Sequence, residues 1–387
     1  MPLFLTIVLD GVGIGAQPDA HLYGDEQSHT LGHVCAVANP HLPNLEVLGL
    51  GCIEPLAGVA AVAQPMASFG KMQEVSAGKD STTGHWELAG IKLDQPFPTF
   101  PDGFPQELID AFCEKTGYAD VLGNYPASGT AIIADHGAAH QQSRLPIVYT
   151  SADSVFQVAA HKDVIPLEEL YRVCAIARDE ICIGPYGVGR VIARPFVGDV
   201  GDFQRVSAER KDYSILPHKQ PVQAALQAAG VRTVSVGKIA DLFGGVGFDE
   251  KYKTKSNDEG IEKTLALVAD VQPEENVFIW VNLVDFDQEF GHRNNPQGFA
   301  EALEAFDRAV PDLLAALPEE STLVITADHG NDPTTPGTDH SREYVPVIKY
   351  TGNAPVASLG LRQSFSDHAA TLSRFFNVPF QSDGVCF

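Results

Sequence analysis

Apolar residues fall along this chain in two textures. Short, unbroken β-prone runs occur at Phe4 to Leu9, Thr233 to Val236, Val277 to Val284 and Thr322 to Thr326. An unbroken run of that length predicts a strand buried on both faces. Between them lie helical spacings. Pro221 opens one that Gly230 closes, the usual asymmetry of helix ends. Residues 256–269 and 299–317 carry two more, the latter interrupted by Pro311. Strands alternating with helices predict an α/β fold with a mostly parallel sheet covered on both faces.

The texture changes between residues 96 and 216. Pro96, Pro98, Pro101 and Pro105 punctuate the entry and Pro217 the exit. Inside are helical stretches (105–116, 166–178) and short strands such as Ile147 to Thr150 and Gly189 to Ala193. This predicts an α+β domain inserted into a discontinuous core of residues 1–95 and 217–387.

The first strand runs into Asp10 and the glycine-rich turn Gly11-Val12-Gly13-Ile14-Gly15. The strand at Val277 is followed by Asp287 and His292. That at Thr322 is followed by Asp328-His329-Gly330, with His340 further on. Ligands of parallel α/β sheets bind beyond the carboxyl ends of the strands. Taken alone, an Asp there is more often a cap or turn former; the repetition at successive strand ends is the signal. Three carboxylates and three imidazoles suffice for two cations with positions left open, and the donor mixture suits Mn²⁺ or Zn²⁺ rather than Ca²⁺. Two cations roughly 4 Å apart can clamp the attacking and leaving oxygens of a phosphoryl transfer. A nucleotide-binding reading of the glycine turn leaves this Asp/His set unexplained.

The segment Gly78-Lys79-Asp80-Ser81-Thr82-Thr83-Gly84-His85 places hydroxyls just before a helical stretch. There, unpaired amides and the positive dipole end favour an attached phosphate. By itself such a run is usually only a cap.

Composition narrows the partners. The 387 residues carry a formal charge of −24, which argues against nucleic acid, whose binding rests on Lys and Arg. It does not argue against a small anion held through cations. Yet Arg190, Arg194, Arg205, Arg210 and Lys211 crowd together in a chain with only 26 basic residues. Six scattered cysteines without a CxxC pair suit reduced thiols, and the first apolar run is too short for a signal peptide or a membrane span. A cytoplasmic protein with no membrane partner is expected.

These motifs together resemble the prokaryotic phosphopentomutases. The resemblance runs from residue 5 to about 350, through Asp10 to Gly15, residues 78–87, 149–155, 188–196, 282–287 with 290–293, 326–333 and 336–346. The Asp-His-Gly element and the downstream His alone would indicate only the wider alkaline-phosphatase superfamily. The resemblance implies an alkaline-phosphatase-like three-layer sheet core with an inserted α+β cap. It implies two Mn²⁺ ions, with Zn²⁺, Mg²⁺ or Co²⁺ as substitutes. Asp10, Asp328 and His329 would hold one ion, and Asp287, His292 and His340 the other. The family's phosphorylated residue is a threonine directly after Lys-Asp. Here that position is Ser81, with Thr82 next to it as the alternative nucleophile. Asp153, Arg190, Arg205 and Lys238 match the family's substrate-contacting positions. The implied reaction interconverts ribose 1-phosphate and ribose 5-phosphate, or the 2-deoxyribose analogues, with a bisphosphorylated sugar as activator. The alternative is a phosphatase or phosphodiesterase of the same superfamily, which transfers phosphate to water. The number of subunits is left open.

Overall fold

The strands of the computed structural model, which describes residues 3–151, 153–352 and 354–387, run in chain order as follows. They are β1 (Leu3–Leu9), β2 (Ser68–Met72), β3 (Leu122–Pro126), β4 (Ile147–Thr150), β5 (Val155–His161), β6 (Arg190–Val197), β7 (Gln204–Arg205), β8 (Lys211–Ser214), β9 (Arg232–Val236), β10 (Glu250–Tyr252), β11 (Val277–Leu283), β12 (Thr322–Thr326), β13 (Val345–Tyr350) and β14 (Ser358–Arg362). The chain divides into two units, Met1–Pro96 with Pro217–Phe387, and Phe97–Leu216.

The first unit holds an eight-stranded sheet in the order β10-β9-β11-β1-β12-β13-β2-β14. Its centre is parallel: β1 lies between β11 and β12, and β9 flanks β11. Every residue of β1, β11 and β12 is buried, as continuous apolar runs require when both faces are covered. Two groups of helices supply the cover. Thr30–Ala38, Pro43–Leu48, Asn257–Ala269 and Pro296–Ala316 pack with one another; Ser81–Leu88, Val222–Ala228, Ile239–Leu242 and Asp367–Phe376 form the other group. The result is the expected α/β core of three layers.

The far side of the sheet departs from the parallel pattern. β13 runs antiparallel to both β12 and β2. Pro311 does not end its helix, which continues from Pro296 to Ala316. A proline frees the carbonyl four residues back. Here that carbonyl belongs to Asp307 and accepts a hydrogen bond from Asn44 Nδ2 at 3.0 Å. The Asp307 carboxylate also receives the amides of Asn44 and Leu45, so the helix is pinned where its own ladder is interrupted.

The second unit has its own sheet, β3-β4-β5-β6-β7, with β8 also paired to β6. One face packs on Phe104, Phe112, Phe156 and Val173. The other meets the helix Gly129–Ser143 through Ile132, Ile133, Tyr149 and Phe196.

Candidate active site

Sheet register brings the predicted carboxylates together. Leu9 pairs with Leu283, Val8 with Thr326, and Val236 with Val281. Asp10, Asp287, Asp328 and Lys238 therefore all follow the carboxyl ends of four adjacent parallel strands. Asp10 and Asp328 are fully buried, and Asp287 and His329 nearly so. Gly11 turns the chain after Asp10 with φ +74°, a conformation glycine adopts without strain.

Two groups form with ligand atoms within 4.8 Å of one another: Asp10, Asp328 and His329, and Asp287, His329 and His340. His329 thus belongs to both. His292 stands beside the second group, its Nε2 3.3 Å from Asp287 Oδ2 and its ring 4.8 Å from that of His340.

The donor set fits divalent cations. The buried carboxylates of Asp10 and Asp328 face Lys238 Nζ, 2.5 Å from Asp10 Oδ2, His329 Nε2, 3.4 Å from Asp10 Oδ1 and 3.3 Å from Asp328 Oδ2, and His85 Nδ1, 3.1 Å from Asp328 Oδ2. A carboxylate in that position requires a positive partner. The imidazoles register the same demand. Burial opposes a charge on His329, yet Asp328, Asp10 and Asp287 push its pKa up to about 10. For His292 burial is likewise overcome, by Asp287, to about 9. Asp287 and Asp328 are held below the usual carboxylate range against their own burial, chiefly by His340 and His329 respectively. Surrounding groups fix the two carboxylates: Gly11 N donates to Asp328 Oδ1 at 3.2 Å and Asn331 Nδ2 to Asp287 Oδ1 at 2.7 Å.

The hydroxyl segment comes to the same place. Asp80 caps the helix Ser81–Leu88 by accepting from the amides of Thr82 and Thr83, so Ser81 is its first residue. Ser81 Oγ lies 3.1 Å from His329 Nε2 and 2.7 Å from Lys238 Nζ. Lys238 Nζ is also 2.5 Å from Asp10 Oδ2. Thr82 is buried, and its hydroxyl makes no such contact among the described residues. Close approach of this helix depends on Gly84, where a Cβ would stand 2.0 Å from the Asp328 carbonyl oxygen.

Two residues that sequence reasoning did not single out complete the arrangement. His85, one turn after Ser81, places Nδ1 2.8 Å from the Ser81 carbonyl oxygen and 3.1 Å from Asp328 Oδ2. Arg342, two residues after His340, donates to the carbonyls of Glu74, Ser76 and Gly78 and pairs with Glu74 and Asp19. The i, i+4 spacing from Ser81 was a signal for His85; nothing in the spacing marked Arg342.

Asp153, Arg190 and Arg205 lie in the second unit. Arg190 heads β6, 3.6 Å from Asp212, Arg205 ends β7, and Asp153 precedes β5.

The parallel-strand ends and their Asp/His groups define a metal-dependent enzyme of the alkaline-phosphatase-like class. A family model described as Metalloenzyme superfamily matches residues 1–379. The chain belongs to the phosphopentomutase family of that superfamily, and so is an intramolecular phosphotransferase, an isomerase. It is 52% identical over 384 residues to a phosphopentomutase of Caldanaerobacter subterraneus subsp. tengcongensis, covering 99% of this chain and 96% of that one. It is 50% identical over 385 residues to one of Thermotoga maritima, covering 99% and 98%. Among solved structures, the PH0037 protein of Pyrococcus horikoshii shares the fold, with a TM-score of 0.51 at 16% identity over 98% of each chain.

Proposed function

We propose that this enzyme interconverts ribose 1-phosphate and ribose 5-phosphate, and the 2-deoxyribose analogues, through a phosphate carried on Ser81. The contact of Ser81 Oγ with both His329 and Lys238, at the edge of the two Asp/His groups, carries this reading.

Asp10, Asp328 and His329 would hold one Mn²⁺, and Asp287, His292 and His340 the other, with Zn²⁺, Mg²⁺ or Co²⁺ as substitutes. When bound, such ions neutralise charge on the transferred phosphoryl group and lower the pKa of the attacking hydroxyl. His329 lies between the two groups and is suited to orient both.

The chain's own residues then do the following. Ser81 starts a helix, whose positive end favours a phosphate on its side chain. The free hydroxyl of the bound pentose phosphate attacks that phosphate. The P–O bond to Ser81 breaks, and the electron pair stays on Oγ. Lys238, 2.7 Å from Oγ, balances the charge that appears there. The sugar is now a bisphosphate. After its other end is presented, Ser81 Oγ attacks the second phosphate, the P–O bond to the sugar breaks, the sugar oxygen takes up the proton given up by the hydroxyl in the first transfer, and the phosphoserine is restored. Asp153, Arg190 and Arg205 would bind the sugar hydroxyls and the phosphate that is not being transferred. A bisphosphorylated sugar would prime an enzyme that has lost its phosphate. A cytoplasmic setting suits the six cysteines, all free.

The test is a coupled assay of ribose 1-phosphate conversion with free phosphate measured in parallel. Isomerisation in large excess over phosphate release is expected. Release outrunning isomerisation would mean transfer to water, as in a phosphatase.

A further inference from the structure

We infer that Glu343, Thr30 and Asn331 are positioning residues, a buried relay that fixes the Asp287 carboxylate for its cation; this rests on the two-cation reading above.

The glycine-rich turn after β1 meets a demand beyond the bend at Gly11. Gly13 in that turn and Gly330 of the Asp-His-Gly element both stand against the Glu343 side chain. A Cβ at Gly13 would fall 2.4 Å from Glu343 Oε2, and one at Gly330 would fall 2.5 Å from Oε1. Both loops therefore close on one carboxylate, and they can do so only without side chains.

Glu343 is buried, and a buried carboxylate is costly unless donors surround it. Four do. Oε2 accepts from the amides of Gly15 at 3.1 Å and Thr30 at 2.9 Å. Oε1 accepts from Thr30 Oγ1 and Ser341 Oγ, each at 2.7 Å. Thr30 opens the helix Thr30–Ala38, whose positive end favours the negative charge placed there. The turn after Asp10, this helix and the segment after His340 are thus tied at a single point.

The Thr30 hydroxyl sets the route onward. Its hydrogen goes to Glu343, which leaves its oxygen to accept from Asn331 N at 3.1 Å. Asn331 then donates from Nδ2 to Asp287 Oδ1 at 2.7 Å. An ionised carboxylate only accepts, so the amide nitrogen must be the group that faces it. Glycines again make the room. A Cβ at Gly291 would stand 2.6 Å from Asn331 Cγ, and one at Gly11 would stand 3.0 Å from Asn331 Cβ.

Thr30 and Asn331 are buried, and neither they nor Glu343 belong to the Asp/His groups. Three hydrogen bonds in series still connect Glu343 to Asp287. A donor held rigidly on one carboxylate oxygen stops the group from turning, so less order has to be imposed when a cation binds. Partners of this kind are worth about ten- to a hundredfold in metal affinity.

The test uses the full-length enzyme, freed of metal with a chelator and titrated with Mn²⁺ alone. Electron paramagnetic resonance follows the free ion, and two binding steps are expected in the parent. The variants are Thr30→Val, which removes the hydroxyl, Thr30→Ser, which keeps it, and Asn331→Ala, which removes the last donor. Thr30→Val and Asn331→Ala should each weaken the same single step by about ten- to a hundredfold, while Thr30→Ser should change neither by more than about threefold. Melting temperatures of the metal-free samples report folding, and should Thr30→Val not fold, Asn331→Ala carries the comparison. A lowered melting temperature with both Mn²⁺ steps unchanged would make the relay a structural anchor only and overturn the proposal. Equal weakening of both steps, or a Thr30→Ser as weak as Thr30→Val, would overturn it too. A parent that takes up fewer than two Mn²⁺ overturns the two-cation reading and the relay together.

Discussion

Lys238 Nζ stands 2.7 Å from Ser81 Oγ and 2.5 Å from Asp10 Oδ2, so a single ammonium joins the hydroxyl of one helix to the carboxylate at the end of β1. Burial disfavours its charge, but Asp10, Asp287 and Asp328 together hold its pKa up. The sequence marked Lys238 as a substrate contact of the family; its neighbours point to the nucleophile.

Lys238→Met should therefore lower kcat by about 10² or more, the size of effect seen when one preorganised charge partner of a transition state is removed. Its KM for ribose 5-phosphate should change little, and the metal content should not fall. A variant that loses metal but keeps its kcat would assign Lys238 a structural role instead. Steady-state kinetics with metal analysis of the same sample distinguish the two.

Asp328→Ala should remove one cation per chain and nearly all turnover. Asp328 is fully buried and is approached by Gly11 N, His85 and His329. An unchanged metal count in the purified variant would show that the ligand set is wrongly drawn.

The carboxylate positions were legible because β1, β11 and β12 are unbroken apolar runs, and parallel strands end at the same edge of a sheet. What escaped is what other parts of the chain decide. That His329 faces both ligand groups depends on the fold of the loop between Asp328 and His340. Pro311 looked like a helix breaker because the compensating donor, Asn44, is remote in sequence. The helix Gly129–Ser143 was not foreseen, since only Ile132, Ile133 and a few small or polar residues mark its buried side. β13 and β14 carry no separate strand signal beside the motifs near them.

Arg342 and Glu74 make a stability prediction. Both side chains are 2% exposed and 2.8 Å apart, and Arg342 also bonds three backbone carbonyls. Removing one partner of a buried pair costs about 3–5 kcal/mol, because the other charge stays behind. Arg342→Met should lose that much in urea unfolding, and Glu74→Leu in the same chain should restore part of it. No restoration would mean that the carbonyl contacts, rather than the ion pair, dominate.

His368 makes a pH prediction. Its Nδ1 is 2.9 Å from the Leu88 carbonyl oxygen and its Nε2 2.8 Å from Thr6 Oγ1, which suits a neutral ring. Burial, only partly opposed by the bond to Leu88, lowers its pKa from 6.5 to about 4. The unfolded chain thus binds this proton more readily than the folded one. The contribution is complete above pH 6.5 and is lost as pH falls toward 4. At 1.36 kcal/mol per unit, its size is about 3 kcal/mol. Stability measured across this window should fall less steeply in His368→Gln than in the parent. Equal slopes would remove His368 from the account.

The central claim is that Ser81 carries the phosphate, and one measurement addresses it directly. Enzyme treated with Mn²⁺ and a bisphosphorylated ribose is digested, and the modified residue is located by peptide mass. Phosphate on Ser81, in a preparation that turns over ribose 1-phosphate, is the predicted result. Phosphate on Thr82, or full turnover with Ser81 unmodified at every stage, would contradict it.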